Sequence, residues 1–349
     1  MGLRDRLAKL LHVGGGLMAV QVAKAWRPAK ALTVLTYHHV CEPGPGYQFD
    51  PDCADVTPAQ FRRQMQLVKR NFSVIGLAEL ARGLDSGRLP PNPIAITFDD
   101  GYRSNLIEAL PVLRELELPA TFFIATGFAT QRRLYWWDRI AYLVAEATVP
   151  SMRLTYPTPA TIALTDRAAA RAALVKVVKD HRELELERFL VEVAAAAGVA
   201  WDADRERALA DELIMTWDEI RALAAAGMAI ESHSQQHRVL ETMAPAALAA
   251  DLRGARAELE RELGKPSVAI AYPVGRAIAG YPAVRTAVAD AGYQLGFTNA
   301  SGVIDLTQPA KLDRLGLNRV AVDRDLSDAL FLAQLVIPRM AYSRPSSIT

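Results

Sequence analysis

The chain has 349 residues, 51% of them apolar, and a formal charge of +1. That much apolar sequence can bury one large core or a core with a satellite domain, and the near-zero charge provides no field for nucleic acid or an acidic polymer. The two cysteines, Cys41 and Cys53, lack CxxC spacing; this excludes a zinc ribbon or a disulfide framework and reads most simply as two cytoplasmic thiols.

Along residues 1–30, Leu3, Leu7, Leu10, Leu11, Leu17 and Met18 follow helical spacing, with Arg4, Arg6 and Lys9 interleaved. The uncharged stretch 10–23 is too short to span a bilayer. An amphipathic helix in the membrane plane, docking onto the domain, and a weak secretory signal ending near Ala23-Lys24-Ala25 are all open. An apolar run over 31–35 ends in Tyr37-His38-His39-Val40, where His38 and His39 should point to opposite sides of a strand. A helix is expected over 58–69, with Thr57 as N-cap and Pro58 in its first turn. A strand at 72–75, a helix at 77–86, a Pro-rich link and a strand at 94–98 follow, then a helix over 105–116 and a strand over 120–125.

Residues 134–212 interrupt this rhythm with a helix over 134–146, a candidate hairpin (152–156 and 161–165) and Ala-rich helices over 166–179 and 183–197. Tyr135, Trp136 and Trp137 could stack on a sugar face, with Asp138 bonding a hydroxyl or amide; aromatics at a helix start also serve as packing anchors. The alternation resumes with helices at 217–226, 245–263 and 281–291 and strands at 227–230, 268–271, 294–298 and within 315–320. Strands alternating with helices imply parallel pairing in a barrel-like sheet, with functional groups at the C-terminal strand ends. A last apolar helical run, 326–340, is broken by Pro338. The parts are therefore an N-terminal helix (1–30), a barrel (31–133 and 213–322), an insert (134–212) and a C-terminal helix and tail (323–349).

Two adjacent carboxylates, Asp99 and Asp100, stand where the strand at 94–98 meets Gly101. Neighbours on an extended chain point to opposite sides, so one can bind a metal while the other moves protons. The second cluster is Glu231-Ser232-His233-Ser234-Gln235-Gln236-His237. Its two histidines, four apart, share one side if the segment coils as a helical turn. Asp100, His233 and His237 then make a facial triad that leaves positions open for water and substrate, with Asp99 beside it.

Thr97-Phe98-Asp99-Asp100-Gly101-Tyr102 and His233-Ser234-Gln235-Gln236-His237 resemble the first two motifs of the polysaccharide deacetylase family (NodB homology, fourth carbohydrate esterase family). The resemblance implies an irregular (β/α) barrel of about seven strands with a mostly helical insert. It implies Asp99 as general base, Asp100, His233 and His237 as metal ligands, and zinc as the usual metal, with cobalt, nickel or manganese in some members. The family's third motif, R-x-P-x-G, corresponds to Ala271-Tyr272-Pro273-Val274-Gly275, with Ala271 in place of the arginine that braces the base. By this resemblance Tyr272, Pro273, Val274 and Gly275 shape the oxyanion loop, in which the Val274 N–H is the donor. Arg276 or Arg319 could take over the bracing. No histidine follows His237 to serve as general acid. A subgroup carrying Y-H-x-V instead places the histidine after the tyrosine in the site, which is His38 here, and its members share the W-W-D-R segment that begins at Trp136. The expected reaction is metal-dependent removal of an N-acetyl group from an amino sugar of a polysaccharide, oligosaccharide or lipid-linked precursor, releasing acetate. An O-acetyl esterase, a cyclic-amide amidohydrolase and a catalytically silent carbohydrate-binding protein are the alternatives. The expected location is the cytoplasm, with peripheral membrane contact through the terminal helices.

Overall fold

The computed structural model describes residues 5, 6, 8, 10, 16, 30–181, 184–275 and 277–337. Most of the expected N-terminal helix, Arg276 and everything beyond residue 337 lie outside them. The chain divides into two compact units: Met1–Glu42, Ala54–Thr130 and Met215–Thr349 form one, Pro43–Cys53 and Gln131–Ile214 the other.

In the first unit seven strands close a parallel ring: β1 (Ala31–Tyr37), β2 (Pro93–Phe98), β3 (Thr121–Ile124), β4 (Ala229–Ser232), β5 (Ala269–Ala271), β6 (Leu295–Ser301) and β7 (Leu317–Ala321). Each pairs with its sequence neighbour. Closure comes from β1, which pairs with β2 (Thr33↔Ile94 through Tyr37↔Phe98) and with β7 (Leu35↔Val320). Helices Pro58–Asn71 and Leu77–Ser86 separate β1 from β2, and Leu110–Glu115 precedes β3. That last helix is entered through a π turn, Asn105–Ala109, where a continuous helix was expected. Trp217–Ala225 leads into β4, Pro245–Leu263 into β5 and Pro282–Asp290 into β6. Thr57 caps the first helix as expected and completes a capping box with Gln60.

Parallel strands are buried on both faces. The outer face, with Tyr37, Ile94, Ile96, Phe98, Phe122 and Ile230, packs on Phe61, Met65, Leu113 and Ile220 of the helices; each large side chain so buried stabilises by roughly 1.5–3 kcal/mol. The inner face is lined by smaller groups: Val34, Ala95, Ala269 and Ala271 join Phe123, Phe297 and Leu317. By the two-residue period, Thr97 and Asp99 continue the inward row of Ala95, and Arg319 that of Leu317. Polar atoms therefore enter the ring from two strands at its C-terminal end. At the chain ends, Ala8 is buried with Ala329, Leu332 and Val336 of helix Asp328–Val336, and Ser327 Oγ donates to Asp5. Among the described residues no helix is long and apolar enough to cross a membrane.

The second unit has its own core, built by helices Trp136–Ala145, Arg167–Asp180 and Leu186–Ala197 and the hairpin Ser151–Leu154/Ala160–Ala163 around Ile140, Leu143, Met152, Leu174, Phe189 and Val193. Helix Ala203–Leu213 was not expected from the sequence. Pro43–Cys53, read from sequence as barrel, belongs to this unit. The Asp50 N–H donates to Asp138 Oδ1 (3.0 Å), and Arg171 pairs with both Asp50 and Asp52. Trp137 is only 3% exposed. Its ring stacks on Tyr135 at 4.6 Å and meets the edge of Trp136 at 5.2 Å. In this arrangement the Trp137 indole is packed among aromatic rings, and Asp138 is a buried acceptor that anchors Pro43–Cys53.

Candidate active site

The ring delivers its functional groups at the ends of β1, β2, β4, β5, β6 and β7. At the end of β2 the Asp99 N–H still donates to the Tyr37 carbonyl of β1 (2.9 Å), and Asp100 then turns into the left-handed region (φ +71°). The adjacent carboxylates consequently face different surroundings. Asp99, fully buried, sits in the fork of Arg319, with Nη1 2.8 Å from Oδ1 and Nη2 2.6 Å from Oδ2. The guanidinium also donates to Asn299 Oδ1 (2.6 Å), the Thr298 carbonyl (3.1 Å) and Thr97 Oγ1 (3.3 Å). Burial pushes the Asp99 pKa up, but the Arg319 charge and fork outweigh it and hold the carboxyl below its ordinary range. Arg319 thus reaches the carboxylate that Ala271, buried in the ring interior, has no side chain to reach.

Asp100 Oδ1 lies 3.3 Å from His233 Nε2 and 3.2 Å from His237 Nε2. The expected helical turn between the histidines is absent: Ser234 (φ +64°) and His237 (φ +48°) are both left-handed, and the two rings approach to 4.8 Å through a bent loop. His233 Nδ1 is 2.8 Å from the Ala271 carbonyl, which can only accept. That nitrogen therefore carries the proton, and in the neutral ring Nε2 turns a lone pair toward Asp100. Burial lowers the His237 pKa, which favours its neutral ring. The His233 lone pair facing a carboxylate at this distance repels it unless a cation stands between them. The three ligand atoms lie within 4.8 Å of one another. One carboxylate and two neutral imidazoles fit a borderline divalent cation with positions left over, and the Ala271 bond orients one ligand ring from behind.

At the end of β1, His38 Nδ1 is 3.0 Å from Asp55 Oδ2. The His38 side chain is 27% exposed. Burial lowers its pKa, but Asp55, helped by Asp100 and Asp99, raises it to about 9. His39 faces elsewhere. It is buried, its Nδ1 is 2.5 Å from Ser104 Oγ, its ring stacks on Tyr102 at 4.8 Å, and burial pushes its pKa down to about 4.

After β5 the chain enters the left-handed region at Val274 (φ +63°) and Gly275 (φ +69°). A branched side chain held at positive φ is strained, and such strain collects at functional loops. A Cβ on Gly275 would stand 2.5 Å from that of Asn299, and its carbonyl accepts the Asn299 N–H at 2.7 Å. The Pro273–Gly275 loop, Asn299 and Arg319 are thus hydrogen-bonded in series. Tyr272 supports this loop from below: its ring is buried and its hydroxyl donates to the Leu315 carbonyl (2.7 Å). Sequence reasoning missed Asp55 and Asn299, each of which acts on a partner distant in the chain. The only trace of Asp55 is a carboxylate lodged between the apolar Ala54 and Val56.

Residues 86–296 match the family model described as polysaccharide deacetylase. The chain belongs to the polysaccharide deacetylase family. It is therefore a hydrolase, a sugar deacetylase. The matched region contains Asp99, Asp100, His233, His237 and the 272–275 loop, while His38 and Arg319 lie outside it. Among solved structures, the Streptococcus pyogenes deacetylase PplD in complex with acetate is similar at a TM-score of 0.58 and 18% identity, over 89% of this chain and all of that one. BC0361, a polysaccharide deacetylase from Bacillus cereus, gives 0.54 and 19% over 88% of this chain and 69% of its own. A de-N-acetylase from Aggregatibacter actinomycetemcomitans gives 0.52 and 14% over 89% and 99%. At these identities the likeness is one of fold. Among curated proteins none matches the sequence.

Proposed function

We propose that this deacetylase removes the N-acetyl group from an amino sugar of a polysaccharide, oligosaccharide or lipid-linked glycan, releasing acetate, with a divalent cation, zinc foremost, held by Asp100, His233 and His237. The observation that carries the reading is the convergence of one ligand atom from each of those three residues beside a carboxylate, Asp99, that Arg319 keeps ionised. When bound, the cation supplies Lewis-acid polarisation of an oxygen and acidifies water. Asp99 takes the proton of the attacking water. Its low pKa makes it a weak base, so it suits a water already acidified. The Val274 N–H donates to the oxyanion. His38, charged through Asp55, gives its Nε2 proton to the departing amine.

The acid favours an amide over an ester substrate. An amine needs a proton to leave, whereas an alkoxide leaves with less help, and a histidine held protonated to about 9 meets the harder demand. The membrane contact expected of the two ends draws on the exposure of Leu10 (71%); the burial of Ala8 supports docking of the same segment on the domain. Acetate release from N-acetylglucosamine oligomers and from O-acetylated sugars, measured with zinc present, tests the reading. Release from the N-acetyl panel is expected, falling by about 10²- to 10⁴-fold in Asp99→Asn while zinc remains bound. Release from O-acetyl sugars alone would move the assignment to an esterase. An unchanged rate in Asp99→Asn would remove the mechanism.

A further inference from the structure

The loop joining His233 to His237 is held in place by a helix that contributes no group to the chemistry. We propose that Asp251, on helix Pro245–Leu263, is a positioning residue for the metal-binding histidines, acting through the backbone between them. Its two carboxylate oxygens accept consecutive amides: Oδ1 takes the Gln235 N–H and Oδ2 the Gln236 N–H, both at 2.9 Å. The side chain is buried. The residues on either side of the clamped pair, Ser234 and His237, are the two left-handed ones, so the clamp sits at the centre of the bend that turns both rings toward Asp100.

Neutral groups hold the loop at other points. The Ser234 carbonyl accepts the Thr126 N–H (3.2 Å), the Gln235 carbonyl accepts the Gly127 N–H (2.9 Å), and the His237 N–H is given to Ser234 Oγ (3.0 Å). The Gln235 peptide is thus fixed from both sides, by Gly127 at its carbonyl and by Asp251 at its N–H. The same helix is also shaped for Gln235. Gly254 lies one turn beyond Asp251, on the same face, and a Cβ there would stand 2.7 Å from Gln235 Oε1 and 3.0 Å from its Nε2. A carboxylate clamp and a hollow meet at one residue of the histidine loop. Bonds that orient metal ligands from outside typically govern affinity by about 10- to 100-fold.

This inference rests on the metal site proposed above, and its test separates the two. The full chain, stripped with a chelator, is titrated with Zn2+ against a chromophoric competitor, and with Co2+ for its visible spectrum; folding is followed by far-UV circular dichroism. In Asp251→Asn one amide loses its acceptor, and the Zn2+ Kd is expected to rise about 10-fold; in Asp251→Ala both do, and the rise approaches about 100-fold, with an altered Co2+ spectrum and a retained fold. Asp251→Glu, which keeps the charge and shifts the carboxylate by one methylene, decides the matter if both other Asp251 variants fail to fold; it is expected to weaken Zn2+ binding in the same direction. Folded Asp251 variants, Asp251→Glu included, that bind Zn2+ within twofold of the parent overturn the inference and leave the metal site standing. A parent chain that takes up no Zn2+ removes both.

Discussion

At the scale of single residues, Asp55 sets the protonation range of His38, the proposed acid. Its contact raises the His38 pKa to about 9, so the ring is charged below that value and neutral above it. Below the ordinary histidine pKa near 6.5 the ring is protonated folded or unfolded, so the pair's contribution to stability is complete there. That contribution is lost as pH rises through about 9. Activity that needs the charged ring should decline on the same alkaline limb. In Asp55→Asn the limb of kcat/KM should move to lower pH, toward 6.5, costing rate at pH 8 and little at pH 5.5; a limb that stays in place would detach His38 from the proton transfer. The sequence reading reached His38 without reaching Asp55. Asp99 and Asp100, like His233 and His237, announce themselves within a few residues of each other, whereas Asp55 meets His38 from 17 positions away. Arg319 was one of two arginines considered, and its role needs β7 to lie where it can cross the ring to Asp99.

Among the elements, β5 is the most weakly laddered side of the site. It has three residues and meets β4 at a single register point, Ile270↔Ser232. Side chains of β4 supply what the ladder lacks. Glu231 accepts the Val268 and Ala269 N–H groups (both 2.9 Å) and the Ser267 hydroxyl (2.6 Å) at the start of β5, and His233 bonds the Ala271 carbonyl at its end. Glu231→Gln places an amide nitrogen or a single oxygen where one oxygen served three donors. We expect about 1–3 kcal/mol of lost stability in urea unfolding of the metal-stripped protein; unchanged stability would show the strand to be held by packing alone. The strands and most helices were legible because apolar periodicity is local. The histidine loop was not: HxxxH spacing suits a helix, but the Ala271 carbonyl and the Asp251 clamp impose left-handed bends that no local pattern displays.

For the whole molecule, every proposed metal ligand belongs to the ring, and the other unit has a core of its own. Zinc at about 100 times its Kd should stabilise by about 2.7 kcal/mol, raising the transition of the ring unit by several degrees. Chelator should reverse the shift, and calorimetry with and without it makes the check; a transition indifferent to zinc contradicts the site. The two-unit division was legible in outline, as a break in the strand–helix rhythm. The membership of Pro43–Cys53 was not, since it depends on Asp138 and Arg171, more than 80 positions along the chain. The ring's closure has one more consequence. Because β1 lies between β7 and β2, it is first along the chain yet has neighbours on both sides, as any other strand does. An acid carried at its end would occupy the same rim if that strand were instead the last one synthesised. A circular permutation can therefore carry the proposed proton donor from one terminus to the other while Asp99, Arg319 and the proposed metal ligands stay where they are.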